Sequence, residues 1–499
     1  MIDPHKHCIT GRDEAVAGSA ERTLSVRWVL ASLALSMLLS SLGISIPIVA
    51  LPTLAQAFTA SFPEVQWIII AYLLAITIMI VSVGRLGDIM GHRRVLLAGI
   101  FLFTVASILC GVAPTLWMLI AARAVQGLGA AILMVLTVAL VRETVPKERT
   151  GSAMGLLGTM SAIGTALGPS LGGVLIAGPG WRTIFFIMVP LGILNFLLVH
   201  RYLPVHAQKA KIDRNGFDKL GTLLLGLTLA AYALAMTVGG GHFDRLNMVL
   251  LLAAVLGGGL FVLAEARVAS PLIRLAAFRN AVLSASLAMN ALVSTVMMAT
   301  LVVGPFYLSR ALGLDAALVG LVMSIGPIIS ALSGVPAGRI VDRLGAPFMV
   351  IVGLIGMAAG SFALSVLPAT FGVAGYMAAI AVLTPGYQLF QAANNTAVMM
   401  DVHPDQRGVI SGMLSLSRNL GLITGASFMG AVFAFASMTT DITTAHPEAV
   451  ATGMRITFAV AGVLIVVALA IAVGTYRRTL RNRALAPEAE LRADKKDSG

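Results

Sequence analysis

GRLGDIMGHRRVLL at residues 84–97 recurs in shorter form as GRIVDRLGAP at residues 338–347. The leading glycine, the aspartate and the closing glycine keep their spacing, because each stands 254 residues after its first copy. Both copies lie between long apolar segments that carry no charge. A polar turn that recurs in this setting predicts two copies of one membrane-spanning unit, a plan that is common among transporters.

Composition places most of the chain in lipid. Of the 499 residues, 58% are hydrophobic and 11% are charged, whereas soluble proteins carry about 25% charged residues. The net charge of +12 does not indicate nucleic acid, because the basic residues lie between apolar runs and not on one soluble face. Cys8 and Cys110 are the only cysteines, so we expect no disulfide framework, no metal site and no cofactor.

The apolar runs predict an all-α integral membrane protein. A bilayer core requires about 20 apolar residues per helix, and an even number of crossings places both termini on one side. Fourteen runs meet that length, at residues 28–51, 67–84, 95–113, 117–140, 152–176, 183–200, 220–238, 247–265, 282–308, 318–337, 347–367, 373–399, 409–435 and 455–475.

The distribution of basic residues indicates which side the termini occupy. Lys and Arg collect in the cytoplasmic loops of membrane proteins. Of the 34 in this chain, four lie on the opposite side, Arg123 and Arg418 lie inside predicted spans, and all others fall on the side of the termini. We therefore predict a multi-pass protein of the cell (inner) membrane with both termini in the cytoplasm.

The repeat also predicts the domain organisation. The parts are a cytoplasmic N-terminal tail at 1–27, a six-helix bundle at 28–200, a linker with two extra helices at 201–281, a second six-helix bundle at 282–475 and a cytoplasmic tail at 476–499. From Ala484 the last part is polar and has no apolar period, so we expect it to be disordered.

Glycine, proline and charged residues mark segments that we expect to act in gating and conformational change. Glycine permits tight turns and close helix approach, proline permits a bend, and the turn arginines suit anionic lipid headgroups. Plain helix packing would also explain the glycines of the fifth span. The group comprises Gly84, Asp88, Gly91, Arg93, Arg94, Gly338, Asp342 and Gly345 in the two turns, and Gly164, Gly168, Pro169 and Gly172 in the fifth span.

Arg123, with Gln126 three positions after it, is the first candidate for the substrate pathway. A charged side chain inside the membrane is expensive and normally faces the protein interior or a water-filled cavity. Its partner could be an anionic substrate group, a backbone carbonyl or Gln126, and bracing of neighbouring helices is the alternative. Arg418 is a second charge inside a span.

The predicted twelfth span carries a dense polar set, PGYQLFQAANN at 385–395. Tyr387, Gln391 and Asn394 follow helical spacing and share one face, flanked by Gln388 and Asn395. Uncharged polar groups can orient a planar ligand and Tyr387 can stack on it, although hydrogen bonding between helices is an alternative for each. Weaker pathway candidates are Tyr72, Asn195, Asn290 and Tyr307.

Taken together, these motifs resemble the major facilitator superfamily, in particular its fourteen-helix branch of drug/proton antiporters, over residues 28–475. The family's signature turn is similar to 84–94, its motif RxxQGxGAA to 123–131, and its antiporter motif to 164–173. The resemblance implies two six-helix bundles plus two extra central helices, and alternating access. It also implies export of hydrophobic organic compounds, with protons as a candidate coupling ion.

One position departs from that branch. Its antiporters usually carry an aspartate in the first helix, as in LDxTIVNVALP, whereas residues 42–52 read LGISIPIVALP and place Gly43 at the acid. Every Asp and Glu lies at or beyond the ends of the predicted spans, although a carboxylate inside the bilayer is the usual proton carrier. The chain could use a peripheral acid such as Asp88, act as a facilitator or exchanger, or import its cargo, as do the riboflavin carriers that it also resembles.

The sequence therefore predicts a secondary transporter for a small organic solute. It contains no HExxH pair, P-loop or GxSxG elbow, so we predict no catalytic residues and no enzyme activity. Multidrug export is the family expectation, and uptake of a planar aromatic nutrient such as riboflavin is the alternative. A transport-dead membrane sensor is a remote third interpretation, because such proteins usually carry a soluble signalling domain.

Overall fold

The computed structural model describes residues 6–145, 150–203, 219–238, 244–268, 280–400, 407–438 and 445–497, and these residues form helices and short connections. Side chains within 6–26 and 479–497, and several at helix ends, including Asp88, lie outside the description. The helices are α1 (Lys6–Ala57), α2 (Phe62–Met90), α3 (His92–Val112), α4 (Leu116–Thr144), α5 (Thr150–Ala177), α6 (Thr183–Phe186), α7 (Met188–Tyr202), α8 (Lys219–Thr237), α9 (Arg245–Glu265), α10 (Ala281–Phe306), α11 (Ala316–Leu344), α12 (Ala346–Met399), α13 (Arg407–Thr424), α14 (Gly430–Ala436) and α15 (Pro447–Asp497).

In the described part of the chain, 13 helices are long and apolar enough to cross a membrane. One of them, α12, has 54 residues, which corresponds to roughly 80 Å at 1.5 Å per residue, whereas a bilayer core is about 30 Å thick. Gly372 interrupts α12 with φ 53° and ψ −128°, a conformation that glycine adopts without strain. We therefore treat 346–371 and 373–399 as two arms, which agrees with the fourteen predicted runs.

Glycine contacts show that the two arms of α12 pack side by side in opposite directions. A Cβ added at Gly353 would lie 2.6 Å from the backbone nitrogen of Phe390, and one added at Gly386 would lie 2.8 Å from that of Met357. Numbering that rises on one arm as it falls on the other describes an antiparallel hairpin. Such close backbone approach requires glycine, because any larger residue would overlap the neighbouring arm.

The same packing occurs in the first half of the chain. A Cβ added at Gly129 of α4 would lie 2.7 Å from the backbone nitrogen of Phe103 and 2.9 Å from the carbonyl oxygen of Gly99, both on α3. Gly99 and Gly353 differ by the 254 residues of the sequence repeat. The described helices thus form an N half (α1–α7) and a C half (α10–α15) with matching internal contacts, as the sequence repeat predicted.

The repeated turns also share one conformation. Gly91 has φ 89° and ψ 125°, and Gly345 has φ 88° and ψ 136°. These positive φ values favour glycine, which explains why both copies close on that residue. We call the end of the molecule that carries Gly91 and Gly345 the turn end, and the opposite end the far end.

The two extra helices, α8 and α9, form a pair that packs against α2. Trp67 Nε1 donates to Thr237 Oγ1 at 3.0 Å, and the hydroxyls of Ser82 and Thr222 lie 3.1 Å apart. These bonds attach the pair to the side of the N half. The outer face of α9 is apolar and exposed, as at Val255, which suits contact with lipid tails.

Several element boundaries differ from the sequence predictions. Helix α1 begins at Lys6 and helix α15 ends at Asp497. The expectation of disorder after Ala484 is therefore wrong for the described backbone. That stretch is rich in the strong helix formers Ala, Glu, Leu, Arg and Lys. Ile187 separates α6 from α7, because Pro190 cannot donate to the carbonyl of Phe186.

Candidate functional site

Arg123 of α4 lies at the centre of a buried network inside the N half. Its side chain is fully buried, its Nε donates to the carbonyl of Ile68 at 3.0 Å, and its Nη1 donates to Oε1 of Gln126 at 2.5 Å. Gln126 extends the hydrogen-bond network to α3, since its Nε2 donates to Ser107 Oγ at 2.8 Å. Arg123 thus has two of the partners that the sequence suggested, a backbone carbonyl and Gln126.

Tyr72 of α2 completes this network. The guanidinium carbon of Arg123 lies 4.1 Å from the centre of the Tyr72 ring, a cation–π contact that offsets part of the cost of burying the charge. The Tyr72 hydroxyl donates to the carbonyl of Ser40 on α1 at 3.1 Å. Arg123, Gln126 and Tyr72 therefore tie α1, α2, α3 and α4 together, and they are not among the residues that line the cavity described below.

Tyr72 occupies the space next to Gly43, the position at which the antiporters that the sequence resembles usually carry an acid. A Cβ added at Gly43 would lie 2.7 Å from the Tyr72 hydroxyl and 3.2 Å from the Phe103 ring. An aspartate at Gly43 would therefore overlap Tyr72. In this chain an aromatic ring and a neutral hydroxyl stand where a carboxylate would face the buried arginine.

A cavity lies mainly within the C half, at about mid-length of α10, α11, α13 and the second arm of α12, with one N-half residue on its wall. Its empty volume is about 860 Å³, including the part that is open to the surroundings. The lining residues are Thr165, Ser294, Met297, Thr300, Leu301, Val322, Met323, Gly326, Pro327, Ser330, Tyr376, Ile380, Leu383, Thr384, Tyr387, Arg418 and Leu422.

The sequence repeat explains why the cavity forms in the C half. Gly326 stands 254 residues after Tyr72, and a Cβ added there would lie 3.4 Å from Ile380 and 3.9 Å from Thr384. Ile380 follows Arg123 by the same interval, 257 residues, that separates Gly129 from Gly386. The N half places Tyr72 over Arg123, whereas the C half places Gly326 beside Ile380 at the equivalent positions. The space that a tyrosine side chain would fill at Gly326 is part of the cavity.

Arg418 of α13 contributes the charge of the cavity wall. Its side chain is exposed, and it makes no hydrogen bond or ion pair with another described residue. Among the lining residues it is the one with a charged side chain. Arg123 and Arg418 thus have different environments, because the first is buried among fixed partners and the second faces open space.

The polar side chains of the second arm of α12 lie in three different environments. Tyr387 lines the cavity and accepts a hydrogen bond from Gln391 Nε2 at 3.1 Å, while Gln388 donates to Ser330, which also lines the cavity. Asn394 is fully buried and its amide points to the carbonyl of Ser286 at 3.5 Å. Asn395, by contrast, is exposed.

Three further polar candidates connect helices. Asn290 Nδ2 donates to the carbonyl of Leu414 at 2.9 Å, which joins α10 to α13, and Asn195 Nδ2 donates to Ser36 Oγ at 2.8 Å, which joins α7 to α1. Tyr307 donates to the carbonyl of Pro368 at 3.0 Å. These three side chains thus make bonds between helices, and their role in transport stays a prediction.

Close packing between α1 and α5 involves the glycines of the fifth span. A Cβ added at Gly168 would lie 2.4 Å from Cβ of Ser45, and one at Gly164 would lie 2.8 Å from Cβ of Ser41. Ser45 Oγ also donates to the carbonyl of Gly164 at 3.0 Å. Gly172 continues the contact, since a Cβ added there would lie 3.2 Å from the carbonyl oxygen of Ile46, so the small residues position α5 along the first helix.

The far end of the molecule is closed between the two halves. Phe62 of α2 meets Phe306 of α10 and Phe433 of α14 edge to face, with ring centroids 4.7 and 5.4 Å apart. Gln66 Nε2 donates to the carbonyl of Ala426 at 2.8 Å. These rings and this hydrogen bond cross from the N half to the C half.

Helices α5 and α11 also approach each other closely at the far end. A Cβ added at Gly320 would lie 2.3 Å from the carbonyl oxygen of Pro169, and one at Gly173 would lie 2.6 Å from that of Ala316. The same helices separate toward the turn end, since a Cβ at Gly158 or Gly338 would meet nothing within 4 Å.

Exposure follows the same gradient along α11. Between 319 and 324 every residue except Leu321 is buried, whereas between 331 and 344 only Ala337 and Val341 are buried, and Leu332 and Val335 are 72% and 65% exposed. The described residues thus form a carrier that is closed at the far end and open at the turn end. The cavity lies between the two.

The turn itself contributes contacts within the N half. Arg93 Nη2 donates to the carbonyl of His200 at 2.6 Å, and His92 Nδ1 lies 2.7 Å from Glu143. Arg94 and Asp342 are exposed, and the side chain of Asp88 lies outside the described residues. A Cβ added at Gly84 would lie 4.0 Å from the side chain of Val135.

Some cavity residues were not predicted from the sequence. These residues are Gly326, Thr384 and Thr165, which are small residues within apolar runs. Nothing in their local spacing predicts that they line a cavity. Alignment of the two halves supplies the missing signal, because Gly326 is the counterpart of Tyr72. Among the described residues there is no cluster of three His, Cys, Asp or Glu side chains that could hold a metal.

Comparison with known proteins extends this description. The chain is 31% identical over 385 residues to the uncharacterized transporter YebQ of Escherichia coli K12, which covers 76% of this chain and 83% of that one. It is 29% identical to the riboflavin transporter RibZ of Clostridioides difficile (82% and 88% covered) and 30% identical to the multidrug resistance protein Stp of Mycobacterium tuberculosis H37Rv (77% and 72% covered).

Solved transporters share the fold at low sequence identity. A bacterial homologue of the lysosomal transporter Spinster, in an inward-facing and unoccupied conformation, matches with a TM-score of 0.63 and 16% identity over 92% of this chain and 98% of that one. A D-xylose–proton symporter matches with a TM-score of 0.65 and 15% identity over 90% and 97%. A model of the Major Facilitator Superfamily matches residues 33–426 and 283–496. The chain therefore belongs to the Major Facilitator Superfamily, as its motifs predicted, and is a multi-pass secondary transporter.

Proposed function

We propose that this carrier exports a small aromatic organic solute from the cytoplasm, with the cavity of the C half as its binding site. The observation that carries the proposal is a largely apolar cavity at mid-length of the bundle, open toward the turn end and closed toward the far end. Tyr387 and Tyr376 supply rings for stacking, and the hydroxyls of Ser294 and Thr384 supply hydrogen-bond partners.

The direction of export depends on which side the turn end faces. Basic residues of the turns favour the cytoplasm, so the open state would load solute from inside the cell. Both termini would then be cytoplasmic, in the inner membrane, with the exposed Arg94 near anionic lipid headgroups. A C-terminal green fluorescent protein fusion should fluoresce, whereas a C-terminal alkaline phosphatase fusion should be inactive; the reverse result would contradict this orientation.

The test is to fill the cavity with a larger side chain at Gly326, which lies on its wall. Gly326→Tyr reproduces in the C half the residue that the N half has at Tyr72, and its Cβ meets only ordinary contacts, so the variant should fold. Purified protein in liposomes would be offered a neutral, an anionic and a cationic fluorescent aromatic solute. We expect at least one to be transported by the wild type, and that flux to fall at least tenfold in Gly326→Tyr.

A matched control separates blockage from general damage. Gly259 of α9 is exposed and a Cβ there meets nothing within 4 Å, so Gly259→Tyr adds the same ring on the outer face. It should transport at the wild-type rate. Equal loss in both variants, or normal flux in Gly326→Tyr, would contradict the proposed binding site.

Uptake of riboflavin is the second candidate function. The specific observation that favours it is Gly43, because the described carrier holds a neutral tyrosine where related proton antiporters hold an acid. The similarity to RibZ supports the same alternative. Radiolabelled riboflavin would be given to cells that lack their own flavin transporter, with ethidium accumulation followed in parallel. Riboflavin gain without lower ethidium would favour import, and lower ethidium without riboflavin gain would favour export.

A further inference from the structure

The charge of the cavity walls limits what the cavity can hold. Arg418 faces the space, and none of the other lining residues carries a charge. The sequence places every Asp and Glu at or beyond the ends of the membrane-spanning runs, so no carboxylate stands at mid-depth to receive a cation. An unpaired positive charge at that depth is costly, and an anionic ligand would relieve the cost.

Arg418 is free to bind such a ligand, unlike the other arginine inside the membrane. Arg123 directs its Nε at the Ile68 carbonyl and its Nη1 at Gln126, and its guanidinium lies over the Tyr72 ring, so that only its buried Nη2 has no hydrogen-bond partner among the described residues. Arg418 has no hydrogen bond or ion pair with the described residues. A guanidinium presents parallel N–H groups that fit a carboxylate or sulfonate with two hydrogen bonds.

We infer that the substrate is a planar aromatic organic anion whose acid group binds Arg418 while its ring system lies among Tyr387, Met297 and Met323. This inference rests on the proposed function, because it assigns the chemical class of the solute that the cavity holds. The apolar wall excludes small inorganic anions as the preferred cargo. The single positive charge disfavours lipophilic cations such as ethidium.

An anionic cargo also accounts for the missing proton carrier. A bound anion neutralises Arg418, so the loaded site crosses the membrane without net charge, and the empty site returns carrying its positive charge. One negative charge leaves the cell per cycle. The inside-negative membrane potential drives that movement, so export needs no carboxylate that loads and releases a proton.

The first test measures binding with a pair of ligands that differ only in charge. Anthracene-9-carboxylate and its neutral amide would be titrated against the detergent-purified chain by ligand fluorescence. Arg418→Gln should weaken carboxylate binding at least tenfold and leave amide binding within twofold, whereas Arg418→Lys, which keeps the charge, should lose less. An equal effect on both ligands, or no effect on the carboxylate, would overturn the assignment of Arg418.

The second test measures flux against an imposed potential. Liposomes that contain the carrier and valinomycin would receive potassium gradients of either sign and, separately, a pH gradient. Carboxylate uptake should rise at least fivefold with an inside-positive potential and should not respond to the pH gradient. Flux that follows the pH gradient alone would overturn electrogenic export.

The outcomes distinguish the two proposals. If the amide or ethidium is transported and Gly326→Tyr blocks it while the carboxylate is ignored, the cavity is the binding site and the anion inference fails. If no solute of any charge is transported, or Gly326→Tyr leaves flux intact, the proposed function itself fails.

Discussion

At the scale of single residues, two arginines inside the membrane have opposite environments. The sequence identified both, because each interrupts an apolar run, but spacing along one helix cannot show which neighbour a side chain meets. Arg123 is fully buried under Tyr72, whereas Arg418 is exposed on the cavity wall. The difference arises from the opposing helices, since α2 offers a tyrosine in the N half and α11 offers Gly326 in the C half.

Replacement of Arg123 should damage both stability and transport. Arg123→Ala leaves the Ile68 carbonyl and the Gln126 amide oxygen without their donors, and each buried acceptor left unsatisfied costs about 1–3 kcal/mol. We expect a lower melting temperature in detergent and no solute flux in liposomes. Arg123→Lys keeps the charge but cannot donate to both acceptors in the same geometry, so it should lie between. Wild-type flux in Arg123→Ala would remove Arg123 from the functional site.

The position of the missing acid gives a second prediction at this scale. Gly43→Asp should destabilise the protein, because its Cβ would lie 2.7 Å from the Tyr72 hydroxyl. Tyr72→Phe removes that oxygen, so the double variant Gly43→Asp/Tyr72→Phe should be more stable than Gly43→Asp alone. Coupling between contacting residues is typically about 0.5–3 kcal/mol. The melting temperatures of the wild type, Gly43→Asp, Tyr72→Phe and the double variant test this coupling. Strictly additive effects would show that the two residues do not share the space.

At the scale of elements, the glycine pattern decides how closely the helices approach. The sequence predicted the spans, the two turns and the role of glycine in close packing, since these follow from local composition. It could not show that Gly372 makes 346–399 a continuous hairpin, because the hydrophobic runs on both sides look like any other pair of spans. It also missed the helical continuation beyond Ala484, where charged helix formers obscure the apolar period.

The matching contacts of the two halves should respond alike to substitution. Gly129→Ala and Gly386→Ala each place a methyl group within 2.8 Å of a neighbouring backbone nitrogen, and overpacking of this kind costs about 2 kcal/mol. Both should lower the melting temperature, whereas Gly155→Ala, which meets nothing within 4 Å, should not. A neutral result at Gly386 with a large loss at Gly129 would contradict equivalent packing in the two halves.

At the scale of the whole molecule, the repeat explains both the common architecture and the asymmetric site. Gly91 and Gly345 adopt nearly the same backbone conformation, and the α3–α4 contact recurs within α12. The divergence lies at Tyr72 and Gly326, because the N half has a tyrosine ring over a hydrogen-bonded arginine there and the C half has the wall of the cavity. From the sequence, the likeness of the halves was visible in the turns, but the functional difference required their three-dimensional alignment.

Closure at the far end should depend on the glycine contact between α5 and α11. Alternating access requires the closed and open arrangements to differ by only a few kcal/mol, so a clash in one of them shifts the population to the other. Gly320→Leu would overlap the carbonyl of Pro169 and should open the far end. Gly338→Leu makes the same change on the same helix where a Cβ has open space, and it should leave the far end closed.

A cysteine at Gln66 reports that state, because Gln66 is 1% exposed in the closed far end. In a chain with Cys8→Ser and Cys110→Ala, Gln66→Cys should react slowly with a membrane-impermeant maleimide. Addition of Gly320→Leu should accelerate labelling at least fivefold, and Gly338→Leu should not. Equal labelling rates in the two leucine variants would show that the contact of Gly320 with Pro169 does not hold the far end closed, and alternating access would then depend on the aromatic contacts of Phe62.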